Sequence, residues 1–463
     1  MGKLFGTDGV RGLANIDLTP ELSTALARAA AARIPQLDRR PRFLIGRDTR
    51  LSGDLLEAAA VAGICSAGAD ALLGGVMPTP ALACLVRTLD LDGGIMISAS
   101  HNPYEYNGLK FFGPGGHKLS EAAEDRIESA IREASVREAF IREPAGSATR
   151  ASVGSVQRRP DMLSSYLDSL CGAAGRPLQG MRIVADCAHG ALYDLAPRAL
   201  AALGADVVAI NCHPNGRNIN EGGAMKPQQL AAAARQHRAH AGLAFDGDGD
   251  RLVVLDETGA LIDGDQIVAI WANDLAAQGE LPGSTVVGTV LTNGGLETFL
   301  NSIGCRLLRT PVGDRYVSAE MRRTGAALGG ETCGHVVFYP HLSSSDALYT
   351  GLSLLRIAAR IGKPLSELAS VMKKRPQVSI TVPADNHVDF QTYPPVHRAM
   401  EQAKAALGDR GWLLVRPSGT EPIIRVTAEC TDENLARTVV ETTASALREC
   451  LSDRRIPSAD IAS

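Results

Sequence analysis

Gly93-Gly94-Ile95-Met96-Ile97-Ser98-Ala99-Ser100-His101-Asn102-Pro103 reads as a buried strand that runs into a turn. The apolar run is short and leaves a pair of glycines. Asn102-Pro103 closes the turn, because the residue before a proline is pushed out of the helical region. A hydroxyl at the carboxyl end of a strand, in a tight turn, suits a nucleophile or a phosphate acceptor. The same residues also suit an ordinary turn rich in Ser and Asn. Upstream, Phe43-Leu44-Ile45-Gly46 is a strand with Arg47-Asp48-Thr49-Arg50 at its end. A helix follows from about Leu51 to Ala67, then the strand Ala71-Leu72-Leu73, and Pro78-Thr79-Pro80 opens another helix. Further back, Thr19-Pro20-Glu21 is a helix start with a cap, a proline and an acid in the first turn, and the helix runs to Arg33. The glycine-rich loop Gly6–Gly12, which carries Arg11, precedes it. This alternation predicts an α/β layer with a mostly parallel sheet and functional loops at the strands' carboxyl ends.

The alternation recurs downstream. Arg182–Asp186 and Asp206–Ile210 are strands, with a helix between them opening at His189-Gly190-Ala191 and ending at Leu203-Gly204. A third round has the strand Thr285–Val290, a helix, and the strand Cys305–Leu308. Residues 143–160 are rich in Pro, Gly, Ser and Arg and suit a linker. The last part differs. Val378–Val382 alternates like a half-exposed strand, and helices near 396–407 and 434–448 flank the strands Trp412–Val415 and Ile423–Val426. The expectation is three successive α/β domains with mixed or mostly parallel sheets and a smaller C-terminal α+β domain. Their bounds are 1–150, 151–253, 254–372 and 373–450, with a flexible tail at 451–463.

A chain of 463 residues, 45% of them hydrophobic, can hold several buried cores. A net charge of −4 and 4% aromatic residues offer no global reason to bind nucleic acid or an anionic membrane. Nine cysteines without a CxxC pair suggest reduced thiols, a cytoplasmic location and no zinc ribbon. No apolar stretch has the length of a membrane span or of a signal core.

Phe245-Asp246-Gly247-Asp248-Gly249-Asp250-Arg251 is the strongest motif. Its glycines let three carboxylates converge on one point, as a hard cation such as Mg²⁺ requires, and the remaining positions suit a phosphate oxygen and water. The spacing imitates an EF-hand loop, with Glu257 at the twelfth position. That reading fails because Arg251 stands where the turn needs glycine and a strand-like run follows. Leu414–Pro422 places Arg416, Ser418, Gly419 and Thr420 in a strand-to-turn segment able to nest an anion, with Arg425 on the next strand. No GxxxxGK[ST] loop occurs. Lys110 sits in an apolar segment, where a lysine either has a role or snorkels at an edge. Glu331, Cys333 and His335 share a glycine-flanked loop whose carboxylate and imidazole suit sugar hydroxyls; a Cys333–His335 thiol dyad is the weaker reading. Thr310–Arg315, with Gly313 and Asp314, is another candidate substrate loop.

Five segments in this order resemble the α-D-phosphohexomutase superfamily, and most closely its bacterial phosphoglucosamine mutase branch. They are MGKLFGTDGVRG, SASHNPYEYNGLKFF, FDGDGDR, VGDRYV and RPSGTEPIIRV, and the resemblance runs from Met1 to about residue 450. It implies four domains around one cleft. It also implies interconversion of glucosamine 6-phosphate and glucosamine 1-phosphate through a phosphoserine and a 1,6-bisphosphate, feeding UDP-N-acetylglucosamine and cell-wall synthesis. Other hexose phosphates of the superfamily, or phosphosugar binding without catalysis, are the alternatives. By resemblance Ser100 is the phosphoserine, flanked by His101. Ser100, Asp246, Asp248 and Asp250 are the Mg²⁺ ligands. Arg11, Lys110, Arg251 and His335 surround the transferring phosphoryl group, with Lys110 and Arg251 as candidates for proton transfer. Glu331 and Cys333 meet the sugar, with Gly313 and Asp314 nearby, and Arg416, Ser418, Gly419, Thr420 and Arg425 hold the distal phosphate. A glucosamine or glucose 1,6-bisphosphate is the expected activator, and a homodimer is compatible. Two segments depart from the family: Cys333 stands where serine is usual, and Glu221–Pro227 lacks the Cys-Gly and His-Pro features common there.

Overall fold

The computed structural model describes residues 3–6, 8–33, 39–136, 152–172, 177–339, 344–384, 390–417 and 423–452. The chain divides into two compact units, one of Met1–Thr292 with Leu300–Val371 and one of Asn293–Phe299 with Met372–Ser463. The larger unit holds three sheets.

The first sheet contains β1 (Val10–Leu13), β2 (Arg42–Arg47), β3 (Asp70–Val76), β4 (Gly93–Ile97), β5 (Tyr106–Phe112) and β6 (Val156–Arg158), in the order β1-β5-β4-β2-β3-β6. β4, β2, β3 and β6 run parallel, whereas β5 is antiparallel to both β4 and β1. Every residue of β4 is buried, as its apolar run predicts. The reason is that helices cover both faces of the sheet. Phe43, Ile45, Ile95, Ile97, Leu109 and Phe111 share one core with Leu26, Leu56, Ile64 and Ile127 from the helices Pro20–Ala31, Gly53–Ser66 and Glu121–Val136. The helix Thr79–Thr88 lies on the other face, close enough that a Cβ on Gly94 would stand 2.7 Å from Leu82 Cδ2.

The second sheet contains β7 (Arg182–Asp186), β8 (Asp206–Ile210), β9 (Ala241–Phe245), β10 (Leu252–Leu255) and β11 (Leu261–Ile262), in the order β11-β10-β9-β7-β8. The third contains β12 (Thr285–Thr289), β13 (Arg306–Thr310), β14 (Leu328–Gly330) and β15 (Val336–Phe338), in the order β13-β12-β14-β15. In each, a parallel set ends in an antiparallel partner: β9 with β10, and β14 with β15. The smaller unit carries an antiparallel sheet, β16 (Gln377–Pro383), β17 (Gly411–Pro417) and β18 (Ile423–Cys430), with β18 in the middle. The helices Pro394–Leu407 and Glu433–Ser452 pack on it through Val396, Ala403, Val440 and Leu447.

The α/β class is as expected, and four local expectations are corrected. The stretch read as linker contains β6, which pairs with β3 and carries the first sheet past residue 150. β11 likewise carries the second sheet past residue 253. The helix expected to open at His189 begins at Leu195, because Ala188 and His189 both have positive φ and the Ala191 amide is drawn off to Gly247 O. The helix Glu433–Ser452 includes Leu451 and Ser452 of the expected tail, and residues 453–463 lie outside the described residues. Among the described residues no helix is long and apolar enough to cross a membrane.

Candidate active site

The turn after β4 places Ser100 at φ +51°, a left-handed conformation that a residue other than glycine adopts only where its surroundings enforce it. The surroundings are visible. Arg50, fully buried, donates to Ser100 O at 2.8 Å, Asn102 O at 2.9 Å and Tyr106 O at 3.0 Å, and also to Pro103 O. Its Nε pairs with Asp48, which also accepts from Ser98 Oγ. Asn220 Nδ2 donates to Ser100 O and Asn102 O from the second sheet's side. The loop's carbonyls thus face Arg50 and Asn220, and the buried Ser100 hydroxyl donates to Asp246 Oδ2 at 2.7 Å. His101 Nδ1 stands 3.4 Å from the same hydroxyl. Burial, then Arg251 and Arg11, depress the His101 pKa to about 3, so its imidazole is neutral.

Asp246, Asp248 and Asp250 occupy the tight connection between β9 and β10, and one oxygen from each lies within 4.8 Å of the others. All three are buried. Burial, with repulsion from Asp250 and Asp248, pushes the Asp246 pKa up to about 7. Asp248 Oδ2 accepts from Thr79 and Lys110, while its Oδ1 is buried with no hydrogen-bond partner. Converging hard oxygens, a carboxylate that resists ionisation and an orphaned oxygen fit a divalent cation. The strand that follows confirms that the loop is not an EF-hand.

Lys110, on β5, is 1% exposed and lies 2.7 Å from Asp248, 2.8 Å from Asp8 and 3.5 Å from Asp250. Burial works against its charge, but Asp248, Asp8 and Asp250 outweigh it and raise its pKa, so it is a fixed cation. Asp8 also pairs with Arg11 and with Lys118, and Lys118 reaches Asp314 at 2.6 Å. Burial opposes the Asp8 carboxylate, yet Lys110, Lys118 and Arg11 hold its pKa well below the usual range. Arg11 donates to Asn102 Oδ1 at 3.2 Å and so ties its loop to the serine turn.

The connection between β14 and β15 is a five-residue turn closed by Glu331 N donating to His335 O. Glu331, Cys333 and His335 alternate along it. His335 Nε2 lies 3.0 Å from Asp250 Oδ1, and its Nδ1 3.1 Å from Glu331 Oε2. Burial favours neutral His335, but Asp250 and Cys333 override it and raise its pKa well above the usual value. Cys333 Sγ is 3.8 Å from Nδ1, and the residue is exposed. Arg251 Nε approaches His335 Nε2 at 3.4 Å, and Gly313 N donates to Glu331 Oε1 at 3.0 Å.

Ser100, His101, Lys110, Arg11, Arg251, His335, the three aspartates, Glu331, Cys333, Gly313 and Asp314 therefore form one connected network. Arg416 and Arg425 belong to the smaller unit, where they stand directly opposite each other across β17 and β18. Ser418, Gly419 and Thr420 lie outside the described residues. Sequence reasoning gave no role to Asp8, Asp48, Arg50, Thr79, Lys118 or Asn220. Their only signals were charge at the end of β2 and polarity inside buried segments.

Models of the phosphoglucomutase/phosphomannomutase family match the chain in four parts. These are alpha/beta/alpha domain I at residues 2–138, domain II at 164–259, domain III at 263–375 and the C-terminal domain at 359–446. The chain is 46% identical over 442 residues to the phosphoglucosamine mutase of Desulforudis audaxviator, covering 95% of this chain and 97% of that protein. It is 48% identical over 442 residues to that of Saccharopolyspora erythraea, with the same coverage. Among solved structures, a phosphoglucomutase/phosphomannomutase family protein from Burkholderia thailandensis superposes with a TM-score of 0.79 at 24% identity, over 98% of each chain. Aspergillus fumigatus N-acetylphosphoglucosamine mutase in complex with GlcNAc-6P and magnesium gives 0.60 at 18% identity, over 89% of this chain and 83% of that one.

Proposed function

The chain belongs to the phosphoglucomutase/phosphomannomutase family, and on that footing we propose that it interconverts glucosamine 6-phosphate and glucosamine 1-phosphate with Ser100 as the phosphate carrier. The observation that carries the chemistry is the Ser100 hydroxyl held against three converging, buried carboxylates. A phosphoserine there carries about −1.5 to −2 charges at neutral pH and needs cations around it. Asp246, Asp248 and Asp250 would hold Mg²⁺ together with the phosphoserine, and the ion would offset charge on the phosphoryl oxygens. Lys110 and Arg11 supply fixed positive charge beside it, which suits a transfer governed by positioning and electrostatics. Glu331 and His335 are assigned to the sugar hydroxyls, which suit a carboxylate and an imidazole. In the forward direction the phosphoryl group passes from Ser100 to the sugar's free hydroxyl: the Ser100 O–P bond breaks, the hydroxyl's proton ends on Ser100 Oγ, and a 1,6-bisphosphate forms. That species turns over and returns its other phosphate to Ser100. Arg416 and Arg425, with Ser418, Gly419 and Thr420, are assigned to the phosphate that is not reacting.

The test is a mutase assay with the 6-phosphates of glucosamine, glucose and mannose, with and without a trace of 1,6-bisphosphate. It is paired with intact-mass measurement of the purified protein. The expected result is the highest kcat/KM with glucosamine 6-phosphate and one phosphate that maps to Ser100. Full activity in Ser100→Ala would remove the carrier role, and a preference for glucose or mannose would move the substrate to another branch of the family.

A further inference from the structure

We propose that Glu331, Cys333 and His335 form a second metal site, distinct from the aspartate loop, which takes a borderline-soft divalent cation such as Zn²⁺ and thereby blocks the sugar pocket. Alternate residues of the turn bring one carboxylate oxygen, one thiol and one imidazole nitrogen within 4.8 Å of one another, with Glu331 Oε2 to His335 Nδ1 at 3.1 Å and Cys333 Sγ to Nδ1 at 3.8 Å. Tetrahedral zinc with bonds of about 2.0–2.3 Å sets neighbouring donors about 3.3–3.8 Å apart, so small side-chain adjustments suffice. A sulfur–nitrogen–oxygen donor set favours zinc over magnesium, which prefers oxygen alone.

The outer partners are also in place. His335 binds through Nδ1 while its Nε2 donates to Asp250 Oδ1 at 3.0 Å, the carboxylate–histidine–metal arrangement that fixes an imidazole ligand. The turn is rigid, since Thr332 Oγ1 donates to Asp265 and Gly264 N donates to Thr332 O. Cys333 is exposed, so an ion has access and one coordination position stays open to water. Metal binding releases the Cys333 thiol proton and the proton that His335 carries on Nδ1. A serine at this position would not supply the thiolate, so the site depends on Cys333. That the ion competes with the sugar rests on the assignment of Glu331 and His335 above; that it binds does not.

The experiment uses full-length protein saturated with Mg²⁺, so that the aspartate loop is occupied. Zn²⁺ alone is titrated by calorimetry, and Co²⁺ alone by absorption. The wild type should take up one equivalent of either ion, and cobalt should show thiolate-to-metal charge transfer. Zn²⁺ should slow iodoacetamide labelling of Cys333, mapped by mass spectrometry, at least tenfold where added Mg²⁺ does not. Cys333→Ser should lose the charge-transfer band and at least a hundredfold in Zn²⁺ affinity. An unchanged labelling rate in the wild type, which requires no variant to fold, would overturn the proposal. So would wild-type Zn²⁺ affinity in Cys333→Ser, which would place the ion on the aspartates instead.

Discussion

A single buried arginine decides the shape of the serine turn. Arg50 collects four backbone carbonyls and the Asp48 carboxylate; without it Asp48 loses its buried cation, and Ser100 O and Asn102 O are left with Asn220 as donor. An unsatisfied buried polar group costs about 1–3 kcal/mol, and breaking a buried ion pair about 3–5 kcal/mol. Arg50→Met is therefore expected to lower the unfolding midpoint by several degrees and to reduce kcat more than it raises KM. Arg50→Lys should regain part of the stability and little of the kcat, because an ammonium cannot fork across the loop. Thermal unfolding and steady-state kinetics of both variants check this, and wild-type kcat in Arg50→Met would contradict it. The aspartate loop was legible from local order, since glycine spacing is a short-range signal, whereas the serine turn read equally as an ordinary turn and only the family resemblance singled out Ser100. Arg50 was not legible, because the carbonyls it collects lie about fifty residues away in the chain, and its only local signal is the charge at the end of β2.

At the level of elements, three sheets repeat one device: a parallel set closed by an antiparallel strand, with chemistry on the connection. Residues 98–105 join β4 to β5, 246–251 join β9 to β10, and 331–335 join β14 to β15. The loop before β1 is held as tightly. Gly9 has φ +79°, and a Cβ there would stand 2.2 Å from Leu109 O, next to Lys110. Gly9→Ala is expected to destabilise the fold by about 1–3 kcal/mol and to impair turnover through Asp8 and Arg11, measured by urea unfolding and kcat. A different element carries a pH effect. Asp346 caps the helix Ala347–Ile361 by accepting from Tyr349 N, and it also accepts from Tyr166 Oη at 2.6 Å. Burial raises its pKa from 3.8 to about 6. The folded state therefore binds this proton more tightly than the unfolded state. The resulting stability is fully present below pH 3.8 and is lost as pH rises through about 6. The shift of roughly two units corresponds to about 3 kcal/mol. Asp346→Asn keeps a cap and a partner for Tyr166 and should flatten the stability profile between these pH values. An unaltered slope in urea titrations would exclude Asp346 as its source.

For the whole molecule, the aspartate loop links cation binding to folding. Its carboxylates repel one another in a buried space, so an ion bound by the folded state alone stabilises the larger unit by RT ln(1 + [Mg²⁺]/Kd). At a hundred times Kd this is about 2.7 kcal/mol. Chelation should abolish turnover and lower the unfolding transition of the larger unit, and Mg²⁺ should restore both. Asp248→Asn should lose most of the Mg²⁺-dependent shift, as scanning calorimetry would show. The smaller unit has its own internal tie, in which the buried Glu429 accepts from Gly294 N and from Gln377 Nε2. Glu429→Ala should lower that unit's transition and leave the Mg²⁺ response of the larger one intact.

The order of α/β units, the antiparallel C-terminal sheet, the turn that follows β4 and the aspartate loop were all determined by the sequence itself. Each rests on a pattern of a few adjacent residues, namely hydrophobic period, turn chemistry and glycine spacing. Tertiary structure alone decided which charges meet. Asp8, Lys110, Lys118, Asp248 and Asp314 come from segments up to about three hundred residues apart, and their pairing depends on how three sheets are packed. It also decided that residues 156–158, polar enough to read as linker, complete a sheet, because β3 presents an edge with unpaired backbone groups that they fill. Short-range chemistry is written in local sequence, whereas the neutralisation of buried charge is settled only when distant segments are brought into contact.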